Sequence, residues 1–121
     1  MTYQDLKNKL DRLFAAYIRM RDKDKPCISC GQHLDLEAGH FYGRTNLAVR
    51  WDEMNVHGQC IECNRYKGGN RSAFGRGVAM RYGDSVVEAL DVRSQSRVKL
   101  KSYELLEKID HYQNKLKNFN Q

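Results

Sequence analysis

Four cysteines fall in two tight pairs, Cys27-Ile28-Ser29-Cys30 and Cys60-Ile61-Glu62-Cys63. A CxxC turn aims two thiolates at one ion, and two such knuckles complete the tetrahedral four-thiolate set that zinc takes. A closed set of four thiolates leaves no position for water. The spacing therefore predicts one structural zinc ion held by Cys27, Cys30, Cys60 and Cys63. The alternative is a redox dithiol, and two matched knuckles speak against it. The stretch from Cys30 to Cys60 exceeds the simplest four-cysteine spacing, so the ion must staple the two ends of a sizeable excursion. In so small a domain, metal binding contributes directly to folding.

Inside or just beyond that excursion lie Gly39-His40-Phe41, Asn55-Val56-His57 and Asn64, the last directly after the fourth cysteine. A lone histidine is usually a satisfied structural residue. Three groups able to act as base or metal ligand, at fixed places relative to one zinc clamp, form a pattern much less expected by accident.

The elements that must position these groups are partly visible. Leu6, Leu10, Leu13, Phe14, Tyr17 and Ile18 recur at steps of three and four, which predicts an amphipathic helix ending before Pro26. Residues 34–42 predict one strand and 55–60 a second. Between them, 43–54 reads as an extended loop, with Trp51 plugging it to the core. A loop this long in a small domain is either functional or disordered. Residues 64–82 predict a helix interrupted at Gly68-Gly69 and free of acids. Residues 85–90 predict a short helix. Leu100, Tyr103, Leu106, Ile109, Tyr112, Leu116 and Phe119 predict a long amphipathic helix over 94–121, packed on the first helix or on its copy in a second subunit.

The chain carries 21 Lys and Arg against 15 Asp and Glu in 121 residues, a net charge of +6. That surplus favours polyanionic partners, nucleic acid above all. No apolar run approaches the roughly 18 residues that suggest a membrane span. The polar N-terminus lacks the apolar stretch of a secretory signal. The expectation is a cytoplasmic protein with reduced thiols.

The order CxxC, Gly-His-apolar strand, Asn before a second strand, then CxxCN resembles the HNH, or His-Me finger, nucleases. The nearer resemblance is to the phage NinG/Rap family of Holliday junction endonucleases. It rests on Pro26-Cys27-Ile28-Ser29-Cys30-Gly31, Ala38-Gly39-His40-Phe41, Asn55-Val56-His57-Gly58-Gln59-Cys60 and Cys63-Asn64, with Tyr17 to Asp22 before and Gly68-Gly69-Asn70 after. It covers roughly residues 13–83. The fold it implies is α+β: a zinc-bound His-Me finger (ββα-metal, treble-clef-like) core over 26–83. Residues 1–25 and 84–121 would be flanking helical regions of the same single domain.

The resemblance also implies roles. Phosphodiester hydrolysis needs a base to activate water and a cation to stabilise the phosphate. An imidazole titrating near neutrality suits the base, which assigns His40. Asn64 matches the position that binds a catalytic Mg²⁺, with Mn²⁺ able to substitute. Asn55 matches the middle residue of the motif and would hold the loop that orients His40. Many HNH enzymes carry a metal-binding aspartate just before the histidine, and here that place is Gly39. Either Asn64 holds the metal almost alone, or Glu37 helps from the same strand; Asp52 and Glu53 are lesser candidates. His57 is either a phosphate contact or a structural hydrogen bonder. Arg44, Arg65, Lys67, Arg71 and Arg76, with Arg50, would contact phosphates, and nothing resembles base-edge readout.

The implied function is metal-dependent cleavage of branched DNA, such as four-way junctions in phage recombination. Two cuts per junction imply a homodimer, with the last helix as its interface. The alternatives are an HNH nicking or restriction-type enzyme on linear duplex, and a zinc-finger DNA-binding module without catalysis.

Overall fold

In the computed structural model, which describes residues 1–119, helix α1 spans Tyr3–Arg21 and strands β1 and β2 span Leu36–His40 and Val56–Cys60. A wide π-helical turn over Glu62–Tyr66 follows, then α2 (Arg71–Tyr82), α3 (Asp84–Ser94) and α4 (Ser102–Phe119). No helix among the described residues is long and apolar enough to cross a membrane. The last two positions of the helix expected over 94–121 lie outside the described residues.

Helix α1 starts at a capping box. Thr2 Oγ1 accepts from the Asp5 N–H at 3.0 Å, and the Asp5 carboxylate accepts from the Thr2 N–H at 2.9 Å. Its buried face is Leu6, Leu10, Phe14, Tyr17 and Ile18. That face meets Leu105, Ile109 and Tyr112 of α4, with the Phe14 and Tyr112 rings edge-on at 5.0 Å. Burying side chains such as Leu10, Phe14 and Leu105 fully stabilises by about 2 kcal/mol each.

Strands β1 and β2 pair antiparallel, Leu36 opposite Cys60 through His40 opposite Val56. Ala38 and Val56 join the α1–α4 core. On the opposite side His57 lies 5.9 Å from the Phe74 ring and 5.4 Å from Tyr82, within the α2–α3 layer. The sheet is thus held between two helix pairs. At the α2 side the approach is close: a Cβ on Gly77 would stand 1.8 Å from the Ile28 carbonyl oxygen.

Several expected elements differ. The helix expected over 64–82 is interrupted at Gly68-Gly69 as expected, but its first piece is the π-helical turn, and Gly68, Gly69 and Asn70 all take positive φ (56°, 88° and 41°) and reverse the chain between the pieces. The helix expected over 85–90 runs from Asp84 to Ser94. The last helix begins only at Ser102. Over 97–101 apolar and basic residues alternate, which is the period of extended chain and not of a helix. The buried stripe of α4 runs through Leu105, Ile109 and Tyr112, while Tyr103, Leu106 and Phe119 are exposed. Of the two packings the sequence left open for this stripe, α1 within the same chain covers it.

Candidate metal centre and active-site cleft

The hairpin and the turns flanking it bring all four cysteine sulfurs within 4.8 Å of one another. Cys30 and Cys60 Sγ are 3.8 Å apart, and a tetrahedron with ~2.3 Å zinc–sulfur bonds has edges of about 3.8 Å. Four cysteines are therefore positioned to hold one metal ion, and the all-thiolate donor set is one that zinc takes. Backbone N–H groups of Cys30 and Cys60 point at Cys27 Sγ at 3.5 and 3.3 Å, and that of Cys63 at Cys60 Sγ at 3.5 Å. Asn70 Nδ2 donates to Cys63 Sγ at 3.4 Å. Burial alone would raise the Cys27 thiol, yet the N–H donors of Cys30, Cys60 and Ser29 bring it down to about 7. Gln59 braces the centre from β2: its Nε2 donates to Ser29 Oγ at 2.9 Å and to the Gly69 carbonyl at 2.6 Å.

On the α1 side of the sheet lies a cleft of about 370 Å³, lined by His40, Asn64, Asp11, Arg44, Ala38 and Val56 among others. His40 Nε2 is 3.1 Å from the Arg50 carbonyl oxygen. A carbonyl only accepts, so Nε2 carries the hydrogen and Nδ1 keeps its lone pair. Burial is the chief cause that holds the imidazole below its ordinary pKa. His40 is thus neutral at pH 7, with one nitrogen able to take a proton.

The carbonyl that orients His40 is itself secured. Asp11 accepts from Arg50 Nε at 3.1 Å, from Arg50 Nη2 at 2.6 Å and from the Trp51 indole at 3.0 Å. Asn55 is fully buried; its Nδ2 donates to the Tyr42 and Val49 carbonyls at 2.9 Å each, and its Oδ1 accepts the Tyr42 N–H at 2.8 Å. Asn55 pins both ends of the 43–54 loop. Its path to His40 runs through the loop backbone and involves no direct contact.

Asn64 sits inside the π-helical turn, not at a helix start. Its Nδ2 donates to Glu37 Oε1 at 3.0 Å, which leaves its own carbonyl oxygen available. Glu37 also accepts from Arg65 Nε at 3.0 Å, and these donors hold its carboxyl below the ordinary range. The carboxylate thus braces Asn64 and Arg65. Its backbone faces away from His40, since 37 and 40 differ in strand parity.

A family model described as Bacteriophage Lambda NinG protein matches residues 2–121. The chain belongs to the NinG family. Among NinG relatives, it is 41% identical over 81 residues to Protein ninG of Escherichia phage 933W, covering 63% of this chain and 39% of that one. Protein ninG of Salmonella phage P22 gives 41% and that of Escherichia phage lambda 40%, over the same 81 residues and with the same coverages. The chain spans about two fifths of the length of these curated relatives, which are matched over 39%. No solved structure matches it.

Within this NinG chain, His40, Asn64 and Arg44 meet in one cleft, and Asn55 and Glu37 support it from behind. Other expected residues do not join them. His57 is fully buried, with Nε2 donating to the Met54 carbonyl at 2.7 Å and Nδ1 accepting from Arg21 at 3.1 Å. That is the structural alternative, and no phosphate reaches it. Arg71 lies over the Phe41 and Tyr42 rings at 5.3 and 4.8 Å. Arg76 borders a separate hollow beside the first knuckle. Lys67 is exposed outside the cleft lining. Asp52 pairs with Arg93 at 2.7 Å, and Glu53 accepts from the Tyr17 and Tyr112 hydroxyls at 3.0 Å each.

The place where an aspartate is absent has a steric account. A Cβ at Gly39 would stand 2.1 Å from Gln59 Oε1, so an acid there would displace the residue that braces the metal centre. Asp11 was not anticipated from sequence. It is one acid on the polar edge of an amphipathic helix, and its partners lie 39 and 40 residues away.

Proposed function

We propose that this chain is a metal-dependent endonuclease that cuts branched DNA such as four-way junctions. The observation that carries the proposal is the tautomer of His40 fixed by the Arg50 carbonyl, which leaves Nδ1 unprotonated in a residue that lines the same cleft as Asn64 and Arg44. His40 Nδ1 takes a proton from the attacking water. Arg44, 64% exposed at its side chain, meets the phosphate at the mouth of the cleft. Asn64 Oδ1 is the oxygen that the chain offers to a divalent cation, Mg²⁺ or Mn²⁺, whose remaining ligands are water and phosphate. When bound, such an ion neutralises charge on the phosphate and leaving oxygen. The hairpin, the turn bearing Asn64 and the four-cysteine clamp support a zinc-bound His-Me finger as the underlying unit.

Two cuts across one junction require two clefts, so a dimer on the junction is expected, through a surface other than the covered stripe of α4. The test is cleavage of a four-way junction and of a matched linear duplex under Mg²⁺, by wild type and His40→Ala, with EDTA as control. Wild type should cut the junction preferentially, while His40→Ala should bind it with zinc retained and cut at least ~10²-fold more slowly. Equal cutting of both DNAs would favour a linear-duplex HNH enzyme. Binding without cutting under either Mg²⁺ or Mn²⁺ would replace the proposal with a non-catalytic zinc module.

A further inference from the structure

The segment between α3 and α4 carries a charge pattern that the cleft does not use. Arg97, Lys99 and Lys101 are exposed, while Val98 and Leu100 between them are half-buried. Alternation of this kind turns the three cations to one side of the chain. The segment is tied down at both ends: Asn46 Nδ2 donates to the Ser94 carbonyl at 2.9 Å, and the Tyr3 hydroxyl to the Leu100 carbonyl at 2.7 Å. Leu100 packs against the α1–α4 core. No acidic residue occurs from Val92 through Tyr103. Among the described residues, none of the three cations is paired with a carboxylate. The cations nearer the cleft are different, since Arg50 is held by Asp11 and Arg65 by Glu37.

Arg97, Val98 and Lys99 of this ribbon, with Ser94, Gln95 and Ser96 before them, form one wall of a groove of about 780 Å³, whose other wall is Thr45, Asn46, Leu47 and Ala48; Lys101 continues the ribbon just beyond it. The residue before Thr45 is Arg44, which lines the cleft with His40 and Asn64. Groove and cleft are therefore joined through one loop. We propose that the 97–101 ribbon and its groove bind the sugar-phosphate backbone of a DNA arm leaving the cleft. The proposal rests on the endonuclease reading for what occupies the cleft. A polyanionic strand fits this groove because, among the described residues, Arg97 and Lys99 stand unpaired on it and no acid lies among its lining residues. Cations two residues apart in extended chain repeat at about 6.6 Å, a spacing suited to successive backbone phosphates.

The test is junction binding in EDTA by the full chain and by Arg97→Gln/Lys99→Gln/Lys101→Gln, measured by fluorescence polarisation across a salt series. Each lost phosphate contact takes about 0.9 from the slope of log affinity against log salt, so the triple variant should lose roughly two to three. Binding at physiological salt should weaken by at least about tenfold. The cleavage rate at saturating junction with Mg²⁺ should stay at the wild-type level. All three residues are exposed, and Lys99→Glu alone provides a second, milder variant. It should weaken binding more than Lys117→Glu, near the end of α4. An unchanged salt slope in the triple variant overturns the proposal, as does an equal effect of Lys117→Glu, which would reduce it to net charge. A wild-type chain that binds with the ribbon-dependent slope yet never cuts overturns the endonuclease reading and keeps the ribbon. A chain that binds no DNA overturns both.

Discussion

Replacing Asn55 by alanine should cost about 3–5 kcal/mol of stability, and the structure says where the cost arises. The side chain is 0% exposed and makes three hydrogen bonds, two to carbonyls and one from an N–H. Each such bond contributes about 1 kcal/mol net, and the stranded buried partners add desolvation of about 1–3 kcal/mol. For a domain whose total stability is of order 5–15 kcal/mol, that is a large fraction. Asn55→Asp is the sharper variant. It keeps shape and the acceptor for the Tyr42 N–H, but sets an oxygen against the Tyr42 and Val49 carbonyls. It should be no more stable than the alanine variant. Urea unfolding of zinc-loaded protein, followed by the fluorescence of the single tryptophan, Trp51, reads both. With a slope of about 1.5 kcal/mol/M, the midpoint should fall by roughly 2–3 M. An aspartate variant within about 0.5 M of wild type would refute the assignment of Nδ2 as donor to two carbonyls.

Three further outcomes follow from the same contacts. Cys63→Ser should abolish stoichiometric metal binding and cooperative unfolding, and a strong chelator should do the same to wild type, checked by metal analysis and calorimetry. Gly77→Ala should lower the melting temperature by an amount equivalent to about 2 kcal/mol or more, since its Cβ would stand 1.8 Å from the Ile28 carbonyl. Burial and the neighbouring Arg21 depress the His57 pKa from 6.5 to about 4. The unfolded chain therefore binds the proton first, so the contribution is intact above pH 6.5 and is lost as pH falls towards 4. The loss is about 3 kcal/mol, and a zinc-loaded His57→Gln variant should show a flatter stability profile across that window.

The parts of the site legible in sequence are those whose signal is local. CxxC spacing is local, and all four cysteines converge. The hairpin was legible in its extent: strands expected over 34–42 and 55–60 are found at Leu36–His40 and Val56–Cys60. The turn after Cys63 was only half legible: two glycines marked the break, but not three consecutive positive-φ residues with Asn70 as the third. The start of α4 was missed because Leu100 was counted into a helical stripe that begins beyond it. Long-range polar anchors gave no signal. Asp11, Arg21 and Asp22 look like solvated charges in sequence. In the fold, Asp22 is fully buried, pairs with Arg21 at 2.8 Å and accepts the Gly58 N–H at 2.8 Å. Burial alone would raise its pKa, but those donors bring it to about 2.

The two halves of the cleft are held by separate devices. Asn64 follows directly on Cys63, whose carbonyl accepts the Gly69 N–H at 3.0 Å, and Gly69 is in turn bound by Gln59, so the position of Asn64 depends on the metal clamp. His40 sits at the far end of β1, where the Arg50 carbonyl, Asp11 and Asn55 fix it without any cysteine. Metal loss should therefore loosen the Asn64 side first, ahead of the hairpin that packs on α1 through Ala38 and Val56, whose release completes the unfolding. In the proposed endonuclease the clamp would contribute registration: it holds the turn that carries Asn64, while the strand that carries His40 is anchored elsewhere. The depressed pKa of His40 comes chiefly from its own burial between the sheet and the 43–54 loop.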